Sequence, residues 1–202
     1  MVLNISNSKK SFLLFCSLAI IGLGTPHVSF ADDKMTIEES YSVLDKERIP
    51  FDREYTTIPA EEVQYLEHLF FITDLAFRER MEMMRHFHFK KSDLYIDSYL
   101  NNIDEFIASF DKKPAPTNHL RKVEIDVISA LRNHKNFFIK WHNAKGTSAY
   151  SRLQETYHQD HYVQKSHKQL LDAYLMLSTL YPDETEHNRQ AFYQHLCALD
   201  FI

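Results

Sequence analysis

Glycine is nearly absent from this chain: three residues in 202, at Gly22, Gly24 and Gly146. No G-x-G-x-x-G, G-x-x-x-x-G-K-[ST] or G-x-S-x-G can be drawn from them, which removes the common nucleotide-binding loops and the hydrolase nucleophile elbow. The shortage also starves β-hairpins of turn residues while sparing helices, which lose about 1 kcal/mol per interior glycine. Cysteine is equally scarce. Cys16 and Cys197 are the only two, and no C-x-x-C-H exists for covalent haem. Positive charge is not in excess: 23 Lys and Arg face 28 Asp and Glu, a net charge of −5. That balance speaks against a nucleic-acid binder that works by neutralising phosphates. Long apolar runs are missing too. The run from Ser11 to Gly24 covers 14 residues, short of the roughly 20 that span hydrocarbon.

What is present begins with an address. Residues 1–31 read as a secretory signal peptide. Lys9 and Lys10 form the positive start, the apolar run follows, and Gly24-Thr25-Pro26 ends any helix. Ser29 and Ala31 supply small residues at the −3 and −1 positions, and Asp32-Asp33 opens the mature chain. Cys16 lacks the small residues that precede a lipid-modified cysteine. Cleavage after Ala31 leaves 171 residues, and the loss of two lysines and no acid takes the net charge to −7. Periplasm or export is the expected destination, with no membrane span after cleavage. Cys197 is then the sole thiol, and Leu196, Ala198 and Leu199 beside it favour burial.

Beyond residue 31 the pattern is helical. Thr36-x-x-Glu39 has capping-box form for a short helix over Ile37–Lys46, and Ile49 to Ile58 reads as a loop between Pro50 and Pro59. A long helix starts near Pro59, its apolar stripe running Val63, Leu66, Phe70, Thr73, Phe77, Met81, Met84, Phe87. Ser92-Asp93 restarts the chain toward Phe110, with Ile96, Leu100, Ile103 and Ile107 inward. Lys113-Pro114-Ala115-Pro116 connects to a third helix capped by Asn118 and carrying Leu120, Val123, Val127, Leu131, Phe138 and Trp141. Gly146 stands where a left-handed residue closes a helix. Ser148–His161 reads as one helix and His167–Tyr181 as the next, with Ser166 as the latter's cap. Asp183-x-x-Glu186 caps a last one. The expected fold is all-α: a single-domain helical bundle of about five to six helices. Residues 32–58 form a short helix and loop lead-in, and 59–202 the bundle domain.

Histidine is the compositional oddity, with eleven of the twelve lying beyond Ala31. The tightest group is Glu155-x-x-His158-x-x-His161. On one continuous helix these three would share a face, and a carboxylate with two imidazoles suits Zn or Fe. The competing reading places them on a solvated face among Gln154, Gln159 and Asp160. Glu184-x-x-His187 repeats half the pattern at a helix start. His86-Phe87-His88-Phe89, followed by Lys90-Lys91, reads as a cationic helix end favourable to the macrodipole. His134, between Leu131 and Phe138, reads as a satisfied core histidine. Ser166-His167 and Cys197 lack the geometry and the electropositive neighbours of a nucleophile. Tyrosines from Tyr150 to Tyr193 suit either an interface or a core with hydroxyls at its rim.

The leading expectation is therefore a secreted or periplasmic bundle that binds another protein, without catalytic residues and without a cofactor. Two alternatives stand beside it: a Zn- or Fe-binding bundle, and a metal-dependent hydrolase.

Overall fold

A computed structural model of the chain describes residues 49–90 and 92–197. The expected signal peptide and the Ile37–Lys46 helix lie outside them. Among these residues the chain forms six α-helices: α1 (Ala60–Arg85), α2 (Ile96–Lys112), α3 (Asn118–Asn143), α4 (Ser148–Glu155), α5 (His161–Leu180) and α6 (Glu186–Cys197). Among the described residues there is no strand, and no helix is long and apolar enough to cross a membrane.

Every residue of the stripe expected on α1 is buried, from Val63 to Phe87. So are Tyr65, Leu69, Ile72, Ala76 and Met83, which widens the buried arc well beyond one stripe. An arc that broad needs neighbours on two sides, and α1 has them in α2 and α6. The remaining contacts close a ring: α2 packs on α3, α3 makes its most extensive contact with α5, and α5 packs on α6. Ser166, buried on α5, ties that main interface by donating its hydroxyl to the Ala130 carbonyl at 2.9 Å.

Four helix starts differ from the sequence reading. α2 opens at Ile96 behind Tyr95 with no side-chain cap, so Ser92 and Asp93 do not cap it. Ser148–His161 is not one helix: α4 stops at Glu155, a 3-10 turn spans Tyr157–Gln159, and α5 begins at His161. Asp160 causes the break. Its carboxylate accepts from the Tyr162 amide at 2.9 Å as an N-cap and from Lys140 Nζ at 2.5 Å. The extended Asp160 backbone that this cap requires cannot sit inside a helix. Ser166 consequently lies inside α5 and caps nothing. Thr117, one residue before Asn118, caps α3 through the Leu120 amide at 3.3 Å. Thr185 does the same for α6 through the Asn188 amide at 3.2 Å. Gly146 has φ of +80°, as its place after α3 demands.

The loop expected over Ile49 to Ile58 is irregular and strapped to α6. Asn188 pairs with the Asp52 backbone in both directions, accepting at 2.7 Å and donating at 2.8 Å. Glu184, buried, takes the Thr56 hydroxyl and the Asn188 amide. Phe51 stacks on Phe192 with centroids 6.0 Å apart. The repeat half-motif Glu184-x-x-His187 is thus spent on holding this strap, since His187 Nε2 bonds the Pro50 carbonyl at 2.8 Å.

Candidate functional site

The end of α1 is where the chain departs from regular geometry. His86–Lys90 forms one π-helical turn, and the Ser92 amide closes back on the His86 carbonyl at 3.0 Å. Wide turns of this kind insert a residue into a helix and concentrate at functional sites. Here the turn drives Phe87 fully into the core. Its ring meets Phe137, Phe138, Trp141 and Tyr157 at centroid distances of 4.9–5.8 Å. The Phe87 carbonyl receives its hydrogen bond from the side-chain amide of Gln154 on α4. That bond and the stacking of Tyr150 on Trp141, centroids 4.8 Å apart, hold α4 against the bundle. None of the residues of α4 is itself buried.

Between the π turn and α4 lies a groove of about 380 Å³, lined by His88, Tyr150, Ser151, Gln154 and Glu155. Small-molecule and side-chain pockets begin at about this size. His88 sits in it with its ring crowded by Phe87 at 4.6 Å and Tyr157 at 6.1 Å. Desolvation first, and His158 second, lower its pKa from the usual histidine value. The shift disfavours the charged form of His88, whose side chain remains exposed. Burial raises the Tyr150 pKa, and the Asp93 carboxylate adds to the effect. Asp93 itself is occupied, bonded to Lys145 at 2.7 Å, with His142 Nδ1 3.1 Å away.

Behind the groove stands a polar column in the core. Tyr157 is buried, and its hydroxyl accepts from Arg80, itself buried on α1. Arg80 Nη1 lies 3.5 Å from His134 Nδ1. Full burial, then Arg80 and His167, keep the His134 pKa well below the usual value. A neutral imidazole beside a guanidinium is the arrangement that avoids two adjacent buried cations. The core reading of His134 holds.

The residues singled out from sequence are dispersed by the break before α5. Glu155 ends α4 and lines the groove. His158 is exposed in the 3-10 turn, its ring against Tyr157 at 5.3 Å. His161 opens α5 with its ring against Tyr162 at 5.6 Å. Among the described residues no three His, Cys, Asp or Glu side chains come together to hold a metal ion. Cys197 is a buried thiol. No motif or spacing marks Ser151 or Gln154 as groove residues. His88 and Tyr150 were conspicuous by type, and only the π turn brings them to one place. Comparison of the chain with known protein families, with curated proteins and with solved structures finds no match in any of the three.

Proposed function

We propose that this chain is an exported, non-catalytic binding protein that engages another protein through the groove between the π turn and α4. The observation that carries the reading is the groove itself: an open polar recess built on an irregular turn and backed by an anchored aromatic core. Its lining side chains can all hydrogen-bond, and a firm core behind such a recess lets a ligand bind without reordering the bundle. Export rests on Lys9-Lys10, the apolar run and the small residues Ser29 and Ala31. A photo-cross-linking residue at Ser151, expressed in the producing cell, tests the reading against the same residue at exposed Glu105 on α2. The expected result is a discrete protein adduct from position 151 and none from position 105. Equal labelling at both positions, or none at 151, would reject it.

A Zn- or Fe-binding bundle draws on the same place, because His88 and His158 lie within electrostatic reach and Glu155 lines the groove. It requires a third ligand to swing in. Stoichiometric metal in protein purified without added metal, and lost in His158→Ala/His161→Ala, would favour it.

A further inference from the structure

The segment 49–56 is an arm laid on the far end of the chain, with hydrogen-bond partners 128 to 145 residues away on α6 or just before it. Four of these bonds end on main-chain atoms. Gln194 accepts the Ile49 N–H, and His187 donates to the Pro50 carbonyl at 2.8 Å. Asn188 accepts the Asp52 N–H at 2.7 Å and donates to the Asp52 carbonyl at 2.8 Å. Two side chains of the arm are gripped as well. The Phe51 ring packs on Phe70 and Phe192, with centroids 6.2 and 6.0 Å away, and the Thr56 hydroxyl reaches the buried Glu184 carboxylate.

The arm carries its own turns. Asp52 Oδ1 accepts the Glu54 N–H at 2.8 Å, and Thr56 Oγ1 accepts the Ile58 N–H at 3.1 Å. It is thus a preformed unit, joined covalently to α1 through Thr57, Ile58 and Pro59. The chain turns at Ile58 to lay the arm back. Pro59 biases the residue before it toward extended backbone, so straightening this hinge costs little.

We propose that the α6 face receives the 49–56 arm of a second copy of this chain, in a reciprocal exchange that makes a two-fold dimer. A foreign peptide would compete with a tethered arm at an effective concentration of about millimolar, and would leave that arm's bonds unmade. A second copy's arm remakes every bond that the departing arm breaks. Exchange therefore costs the association of two copies and nothing in hydrogen bonds or ring packing.

The test uses the mature full-length chain. A heavy-isotope chain carrying azidophenylalanine in place of Phe51 is mixed with an equal amount of unlabelled chain. The mixture is re-equilibrated at about millimolar concentration, separated by size and irradiated. The expected result is a dimer fraction in which about half of the arm adducts join a heavy arm to a light α6 peptide, the random share for exchanged arms. The monomer fraction should give adducts within the heavy chain alone. Because the azide alters the packing at Phe51, the mixed wild-type dimer supplies a second reading: isotope-filtered NOEs between a labelled Phe51 ring and an unlabelled Phe192. A chain that stays monomeric throughout, or a dimer whose adducts and NOEs all lie within one chain, overturns the proposal. So does a monomer whose within-chain adduct is lost saturably on adding a free peptide of sequence 49–58, which assigns the α6 face to a foreign peptide.

Discussion

His134 shows how one buried side chain sets a pH response. Its folded pKa is lowered, by burial first and then by Arg80 and His167, whereas in the unfolded chain it titrates near about 6.5. Below that value the unfolded state binds the proton that the folded state refuses, so folding becomes less favourable. The stabilisation is fully present above about pH 6.5 and is lost as the pH falls toward the lowered folded value. His68 and His88 are shifted in the same direction, also chiefly by desolvation, and add to the effect. Urea unfolding followed between about pH 7 and pH 5 should therefore show stability falling with acid. His134→Gln, which keeps a hydrogen-bonding group near Arg80, should reduce that dependence by about one proton. Identical pH slopes in the two proteins would contradict the account.

At the level of elements, the junction between α4 and α5 decides where the chemistry-bearing residues go. Asp160 caps α5 and pairs with Lys140, and its own extended backbone separates His158 from His161. Asp160→Ala should cost about 1–2 kcal/mol, the loss of an N-cap with its charge partner, and Asp160→Asn less, because asparagine still caps. Thermal or urea unfolding of both variants measures this, and equal losses would deny the cap its role. The same junction marks the limit of what sequence patterning reveals. The α1 stripe from Val63 to Phe87, the left-handed Gly146 and the burial of Cys197 were all legible, because periodicity and backbone preference act locally. The split at Asp160 was not. A short polar stretch such as Gln154 to His161 is compatible with helix, and the deciding Lys140 partner lies 20 residues away. The π turn was equally hidden, since His86-Phe87-His88-Phe89 fits an ordinary helix end until Phe87 is required by the rings of α3. Likewise Tyr99, fully buried on α2, stands outside the apolar stripe of Ile96, Leu100, Ile103 and Ile107 read there.

At the largest scale the described helices form a ring in which α1, buried over a broad arc, leads into a π turn that meets α4, a short helix with no buried residue. Exposed Ile125 on α3 and Leu171 and Leu175 on α5 are competing apolar side chains on two helices that pack together. Exposure alone does not select between the two places. Localisation of bound ligand does. In the 15N-labelled protein titrated with the partner captured through Ser151, the account expects saturable amide shifts concentrated in His86–Lys90 and Ser148–Gln159. Shifts centred on Ile125, Leu171 and Leu175, or no saturable shift anywhere, would contradict it.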